Sequence, residues 1–240
     1  MCKKTGLSLA YKILIMKILV VSATIYEIGP FLEFLEKECS KKSFFEYEYN
    51  GHIISPIVCG IGALNMAFSI ARFTGIKEIG YIINPGIAGT FSEKLALGSV
   101  VEVISDRFAD LGIEEKNGDF KDVFDLELED KNKFPFINGC IHNEKRKYDT
   151  GLPKVQAITV NKVHGEENSI LRIKQKYNVD IESMEGAGFF YACKIMDLSF
   201  SQIRSISNRV EPRNRESWKV EEAIDRLNEE LIKHIKTVLS

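Results

Sequence analysis

The sequence predicts an α/β fold in which a twisted sheet is sandwiched between two layers of helices. Short apolar runs alternate with helical patterns over most of the 240 residues, and this alternation is typical of α/β proteins. Residues 18–22 (ILVVS) form a continuous apolar run, as expected of a strand that is covered on both faces. The sequence shows no repeat and no linker, so we expect a single domain over residues 16–240.

The first helix is predicted at residues 27–39, with Pro30 in its first turn, where proline is tolerated. The Asn-Gly pair at 50–51 separates two apolar runs, and this dipeptide is a strong signal for a β-hairpin. The two runs are residues 44–49 and 52–59.

The second helix is expected to follow the Gly-Ile-Gly of residues 60–62 and to end near Phe73, with Gly75 as its C-terminal cap. Next come two strands and the loop between them: residues 81–83, 99–104 and 84–89 (NPGIAG).

The least regular segment is residues 108–151, which is rich in Asp, Glu, Lys and Asn and predicts a solvated insert. Beyond it the patterns predict three strands and three helices. The strands are residues 155–160, 179–181 and 202–207, and the helices are residues 166–177, 186–196 and 218–239.

Composition excludes several classes of function. The 32 basic and 34 acidic side chains give a net charge of −2, which argues against a nucleic-acid partner. Five scattered cysteines without a C-x-x-C pair indicate reduced thiols in a cytoplasmic protein. Four histidines without ligand spacing predict no metal site, and no apolar run reaches membrane-spanning length. Residues 1–15 are interpreted as a disordered extension, or as an upstream start with Met16 as the true one.

The ends of the predicted strands carry unusual residues, and ligands of open α/β sheets bind at such ends. Glu27 follows the first strand, where a helix dipole would also explain it. The Gly-Ile-Gly of residues 60–62 is only half of a dinucleotide fingerprint, so it is weak evidence for NAD and no cofactor is predicted. Glu185 and Arg204 lie in apolar surroundings, where we expect both to be buried and paired.

Four segments together resemble the methylthioadenosine/adenosylhomocysteine nucleosidases of the purine nucleoside phosphorylase superfamily. The resemblance runs in order through residues 16–240, and it implies a three-layer αβα sandwich with a central twisted mixed sheet. The segments are residues 16–27 (MKILVVSATIYE), 84–89 (NPGIAG), 182–193 (ESMEGAGFFYAC) and 203–208 (IRSISN).

Within that superfamily, three further segments resemble the futalosine hydrolases. They are residues 106–112 (DRFADLG), 159–165 (TVNKVHG) and 207–215 (SNRVEPRNR). The resemblance implies a hydrolase that cleaves the N-glycosidic bond of futalosine, releasing hypoxanthine and dehypoxanthine futalosine in menaquinone biosynthesis. It also implies a homo-oligomer, a dimer or larger, acting on a small nucleoside.

The resemblance assigns roles to particular residues. Glu27 would orient and deprotonate the attacking water, and Arg204 would position that water and the neighbouring carboxylate. Glu185 would hold the ribose hydroxyls through charge-assisted hydrogen bonds, while Met184 would pack under the sugar. Five residues would border the base: Ala88, Gly89, Asn161, Lys162 and Val163.

Asn208 departs from the nucleosidases, which have an aspartate there that protonates purine N7. Hypoxanthine presents the acceptors N7 and O6, to which an amide NH₂ donates, whereas adenine presents a donor at N6. Asn208 therefore favours a 6-oxopurine. Ile87 also departs, because the nucleosidases have a serine near the water, so Glu27 and Arg204 would carry more of the water positioning.

Other functions stay open on the sequence alone. A nucleosidase for methylthioadenosine, adenosylhomocysteine or aminofutalosine shares the same motifs, and so does a purine nucleoside phosphorylase. The turn at residues 22–26 has no Lys or Arg, and Glu27 would repel phosphate, which disfavours the phosphorylase. A non-catalytic nucleoside sensor would have no need of a water activator. The substrate carboxylate has four candidate partners: Arg107, Lys162, Arg209 and Arg213.

Overall fold

The computed structural model describes residues 15–144 and 146–240, so residues 1–14 of the expected extension lie outside it. The described chain contains thirteen strands and five α-helices. The strands are β1 (Lys17–Ser22), β2 (Ser40–Lys41), β3 (Tyr47–Tyr49), β4 (His52–Val58), β5 (Tyr81–Thr90), β6 (Val100–Asp106), β7 (Gly112–Glu114), β8 (Phe120–Asp122), β9 (Phe136–Ile137), β10 (Cys140–His142), β11 (Lys154–Thr159), β12 (Ile181–Ser183) and β13 (Phe200–Arg209). The helices are α1 (Gly29–Glu38), α2 (Ala63–Arg72), α3 (Glu167–Lys176), α4 (Gly186–Ile195) and α5 (Val220–Val238).

The central sheet is mixed, as expected. Its strands follow the order β2-β3-β4-β1-β5-β12-β11-β6-β10-β9, and β13 pairs with both β5 and β6. Strand β13 runs parallel to β5 and antiparallel to β6. Five strands of this sheet, β5, β12, β11, β6 and β13, therefore close into a ring, and β7 and β8 form a separate hairpin.

Helices cover both faces of the sheet, which confirms the three-layer sandwich. Side chains of a strand alternate between faces. In β1, Ile18 and Val20 pack in the core that includes α1 and α5, whereas Leu19 and Val21 pack in the core that includes α2 and α4. All four are fully buried, and each such side chain stabilises the fold by roughly 1.5–3 kcal/mol.

The predicted hairpin is confirmed at residues 50–51. Asn50 and Gly51 have φ angles of 51° and 78°, as a two-residue turn with left-handed positions requires. Strands β3 and β4 pair directly beside it, with Tyr49 opposite His52.

The prediction of a loop at residues 84–89 is wrong, because these residues lie inside β5. Strand β13 pairs with β5 from Phe200 opposite Ile82 to Arg209 opposite Thr90. The small residues and Pro85 looked like a turn, but a neighbouring strand supplies hydrogen bonds that a local pattern does not reveal.

Three smaller expectations also needed correction. Helix α2 ends at an extended Phe73, and Gly75, with φ 81°, begins the short 3₁₀ turn of Ile76–Glu78 instead of capping α2. The strand expected at 179–181 is β12, shifted to Ile181–Ser183. The insert at 108–151 contains four short strands, β7 to β10.

No helix among the described residues is long and apolar enough to cross a bilayer.

Candidate active site

Glu27 lies in the turn after β1 and is buried, with 8% of its surface exposed. Its Oε2 accepts hydrogen bonds from Ser22 Oγ at 3.2 Å, and from Thr24 N and Thr24 Oγ1 at 3.0 Å each. Its Oε1 accepts one bond, from Ile87 N at 3.2 Å. The carboxylate is thus held from one side, and Oε1 retains capacity to accept a proton from a ligand or water.

Arg204 is 1% exposed, and its guanidinium bonds to one neighbour in particular, Asn84. Nη2 donates to Asn84 Oδ1 at 2.6 Å, and Nη1 donates to Asn84 O at 2.9 Å. No ion pair within 4 Å joins Arg204 to a carboxylate in the described part of the chain. The expected direct pairing with an acid is therefore wrong, because Asn84 occupies the hydrogen-bonding edge of the guanidinium.

Gly86 separates these two groups. A Cβ placed on Gly86 would lie 3.1 Å from Glu27 Oε1 and 3.2 Å from Arg204 Nη1. The missing side chain lets the carboxylate and the guanidinium approach the same point of β5. Arg204 acts on Glu27 through its charge, without a direct bond.

Glu185 occupies the N-cap position of α4 and is also buried. Its Oε1 accepts a bond from Gly62 N at 3.0 Å, and its Oε2 accepts one from Met184 N at 3.3 Å. Gly62 has a φ of 103°, which favours glycine, so the Gly-Ile-Gly turn serves a carboxylate in this fold. Burial raises the pKa of Glu185, and the charge of Arg204 opposes that rise.

Asn208 lies beside Gly89, on the neighbouring strand. Its Oδ1 accepts a bond from Ser207 Oγ at 2.8 Å, and its Nδ2 donates to Arg209 O at 2.9 Å. A Cβ on Gly89 would lie 3.1 Å from Asn208 Nδ2. The network fixes the orientation of the amide, and one Nδ2 hydrogen remains for a ligand over Gly89.

A cavity at this end of the sheet, here called the base-side cavity, contains three residues predicted for the site: Gly89, Val163 and Asn208. It is further lined by His164, Glu182, Arg209, Glu211, Arg213 and Trp218.

Two residues predicted to border the base are exposed and do not line the base-side cavity. Asn161 is exposed, and its backbone N and side-chain Nδ2 both donate to the carboxylate of Asp110, at 2.5 and 3.1 Å. Lys162 is exposed as well. Ala88 is buried and its carbonyl accepts from Ser207 Oγ, and Met184 is half-buried beside Glu185.

The structure also reveals polar residues that sequence reasoning did not assign. Asn84, within NPGIAG, holds Arg204. Glu182, directly before the Ser-Met-Glu motif, is 3% exposed and bonds His164. Asp106 is fully buried, and burial raises its pKa to about 7. Glu182 and Asp106 could have been identified from the sequence, because each is a carboxylate in an otherwise apolar strand. Such groups are rarely buried without a role.

The family of the chain follows from its full-length match. The sequence model described as the phosphorylase superfamily matches residues 17–240. The chain belongs to the phosphorylase superfamily. The resemblance predicted from the motifs is thereby confirmed at the level of the superfamily.

Relatives within the phosphorylase superfamily include two kinds of nucleosidase. A futalosine hydrolase of Thermus thermophilus is 27% identical over 170 residues, which cover 70% of this chain and 75% of that protein. A 5′-methylthioadenosine/S-adenosylhomocysteine nucleosidase of Maridesulfovibrio salexigens is 25% identical over 214 residues, covering 81% and 87%. The structure of futalosine hydrolase from Helicobacter pylori superposes with a TM-score of 0.76 at 14% identity, covering 93% of this chain and 98% of the other. That superposition shows the shared superfamily fold.

Proposed function

We propose that this chain hydrolyses the N-glycosidic bond of futalosine, releasing hypoxanthine and dehypoxanthine futalosine. The observation that carries the proposal is that two polar groups lie beside β5, the Glu27 carboxylate at Gly86 and the Asn208 amide at Gly89. Three residues of a strand span about 10 Å, which leaves room between the two groups for an attacking water, the ribose carbon and the purine.

Glu27 activates the water. Cleavage of an N-glycosidic bond passes through a ribosyl centre with oxocarbenium character, which a water attacks. Oε2 of Glu27 is occupied by Ser22 and Thr24, so Oε1 is the atom that takes the proton. The backbone N–H of Ile87 orients that oxygen. Arg204 stabilises the charge of the site from beneath Gly86.

Glu185 binds the ribose. Its two oxygens already accept bonds from Gly62 N and Met184 N, and each carboxylate oxygen has a second lone pair for a sugar hydroxyl. Met184, half-buried next to it, packs against the sugar. As positive charge develops on the ribose, these hydrogen bonds strengthen and lower the barrier.

Asn208 selects the base. With Oδ1 held by Ser207 and one Nδ2 hydrogen donated to Arg209 O, the second hydrogen faces acceptors of the base. N7 accepts in both bases, so the choice lies at position 6: O6 of hypoxanthine accepts this hydrogen, whereas the N6 amino group of adenine would meet another donor. The amide therefore supports a 6-oxopurine nucleoside over methylthioadenosine and aminofutalosine.

Hydrolysis is favoured over phosphorolysis by charge. The turn that holds Glu27 has no Lys or Arg between residues 22 and 26, and a buried carboxylate repels a phosphate dianion. The guanidinium of Arg204 is buried and donates to Asn84 and to Ile203 O, so it is not an open cationic site for phosphate.

An oligomer is supported by an apolar face on α2. Leu64 and Phe68 are 81% and 60% exposed, and their spacing of four residues places them on one side of the helix. Ile61, in the turn just before α2, is 57% exposed. Exposed apolar groups of this kind mark interfaces. We expect a cytoplasmic homo-oligomer that joins through this face, next to the Gly62–Glu185 contact. Leu64→Glu combined with Phe68→Glu should lower the mass measured by analytical ultracentrifugation.

One chromatographic experiment tests the activity. The chain is incubated with futalosine, aminofutalosine, methylthioadenosine and inosine, each with and without phosphate, and the released base is measured. We expect hypoxanthine from futalosine at a rate independent of phosphate. Release that requires phosphate would establish a phosphorylase, and faster release of adenine from an aminopurine would overturn the substrate.

A further inference from the structure

The buried Glu182 and the half-buried His164 form a pair to which the proposed reaction assigns no role. Glu182 Oε2 lies 2.7 Å from His164 Nδ1, and Glu182 Oε1 accepts a bond from His164 N at 3.1 Å. Glu182 is 3% exposed. Burying a carboxylate to this extent costs several kcal/mol of folding free energy unless its oxygens are fully hydrogen-bonded. This cost suggests that Glu182 does more than hold a loop residue in place.

The sheet register places this pair opposite Asn208. Glu182 pairs with Gly89 on one side, and Asn208 pairs with Gly89 on the other. Adjacent strands lie about 4.8 Å apart, so Glu182 and Asn208 flank the side-chain-free Gly89 across about 10 Å. Both also line the base-side cavity, together with His164. A flat ligand over Gly89 would therefore meet Asn208 at one edge and the His164–Glu182 pair at the other.

The tautomer of His164 follows from its partner. An ionised carboxylate only accepts hydrogen bonds, so Nδ1 carries the proton that points to Glu182, and in the neutral form of the ring Nε2 is an acceptor. Among the described residues, Nε2 of His164 has no hydrogen-bond partner. The pair thus presents an acceptor to the cavity.

We propose that His164, held by Glu182, is the second reader of the base: its Nε2 accepts the N1–H of a 6-oxopurine. This inference rests on the proposed function and deepens it. Hypoxanthine has a donor at N1 and acceptors at N7 and O6, so Asn208 and His164 together match its hydrogen-bonding pattern. Adenine has an acceptor at N1 and a donor at N6, and it mismatches both residues. His164 contacts the base directly, and Glu182 is a positioning residue that sets the tautomer.

Glu182→Gln tests this role, because a purely structural function of Glu182 would not change which base the protein prefers. The backbone N–H of His164 requires the one oxygen of the substituted amide as acceptor, so the amide NH₂ faces Nδ1. Nδ1 then becomes the acceptor, and Nε2 carries the proton. The variant keeps the shape of the pair but inverts the hydrogen bond offered to the base. We therefore expect its preference to move toward adenine, whose N1 accepts.

The experiment measures binding of free bases, without turnover. The single tryptophan of the chain, Trp218, lines the base-side cavity, so its fluorescence reports ligands there. Hypoxanthine, 1-methylhypoxanthine and adenine are titrated against the full chain, His164→Ala and Glu182→Gln, with His142→Ala as a control outside the cavity. One hydrogen bond is worth about tenfold in affinity.

We expect the unaltered chain and the control to bind hypoxanthine about tenfold more tightly than 1-methylhypoxanthine, which lacks N1–H. In His164→Ala this ratio should fall to about one. In Glu182→Gln the ratio of hypoxanthine to adenine affinity should drop at least tenfold. A ratio unchanged in both variants would overturn the inference. If the expected ratios appear but futalosine is not hydrolysed, the proposed function fails while the base reader stands.

Discussion

The Glu27 carboxylate and the Arg204 guanidinium meet at the α-carbon of Gly86 without bonding to each other. Their nearest atoms, Oε1 and Nη1, lie 3.1 and 3.2 Å from the position that a Gly86 Cβ would occupy. Each group is held by other partners, Glu27 by Ser22 and Thr24 and Arg204 by Asn84. The spacing leaves Oε1 free to act as a base, which a direct ion pair would prevent.

Gly86→Ala should therefore impair catalysis more than folding. The new methyl group would press on two buried groups that have little room to move, and we expect kcat to fall at least tenfold. Overpacking of this kind costs about 1–3 kcal/mol of stability. The control is Gly29→Ala at the start of α1, where a Cβ would contact nothing within 4 Å. Equal kcat in the two variants would show that the separation of Glu27 and Arg204 is unimportant.

Glu27→Gln tests the water activator. Loss of a positioned general base typically lowers the rate by roughly 10²–10⁴-fold, whereas nucleoside binding should change little because the amide keeps the size of the side chain. Turnover is measured in single-turnover assays, and binding by Trp218 fluorescence. Glu33→Gln, an exposed position on α1, is the matched control. Near-normal turnover in Glu27→Gln would remove Glu27 from this role.

Glu185→Ala should impair both binding and turnover, unlike Glu27→Gln. A group that binds the ribose acts in both the ground state and the transition state. We expect kcat to fall and KM to rise, and the preference for inosine over 2′-deoxyinosine to disappear. Glu167→Ala, exposed on α3, should keep that preference. A variant at position 185 that still distinguished the two sugars would refute the assignment.

The ribose preference should also depend on pH. Burial raises the pKa of Glu185, so its carboxylate becomes protonated at a higher pH than that of an ordinary glutamate. A protonated group accepts fewer bonds from sugar hydroxyls. The ratio of kcat/KM for inosine over 2′-deoxyinosine should decline as the pH falls through this raised pKa. A ratio constant down to about pH 4 would contradict the prediction.

Much of this arrangement could be predicted from the sequence, and the exceptions have physical reasons. Glu27, Glu185 and Arg204 were identifiable because charged side chains at the ends of apolar strands are rare. The strand character of 84–89 was not, because it depends on pairing with β13, more than a hundred residues away. The same register brings Glu182 level with Asn208, and no local pattern encodes that alignment.

Asp106 makes stability depend on pH. Burial raises its pKa from 3.8 to about 7 in the folded state, so between these values the folded chain binds more protons than the unfolded chain. By linkage, stability falls as the pH rises from about 4 to about 7, and the loss is complete above about pH 7. Oδ2 of Asp106 and Oε1 of Gln202 are both buried without a partner among the described residues.

Asp106→Asn should remove that loss, because the amide does not ionise and its NH₂ replaces the unpartnered oxygen. We expect Tm at about pH 8 to rise by about 2–8 °C relative to the unaltered chain, as roughly 1–2 kcal/mol implies at this size. At about pH 4 the two should differ less. Asp225→Asn, exposed on α5, is the control. A lower Tm for Asp106→Asn at the higher pH would show that the carboxylate stabilises the fold.

The most direct test of the account is Asn208→Asp, measured as the ratio of kcat/KM for futalosine over aminofutalosine. The carboxyl group places an acceptor where the amide of Asn208 has a donor, so it meets O6 of hypoxanthine unfavourably and N6–H of adenine favourably. Such a mismatch costs about 1–3 kcal/mol, and about 1.4 kcal/mol corresponds to tenfold. We expect a ratio above one in the unaltered chain and a ratio about ten- to a hundredfold lower in the variant. A ratio that stays constant, or rises, would contradict both Asn208 as reader of the base and futalosine as the substrate.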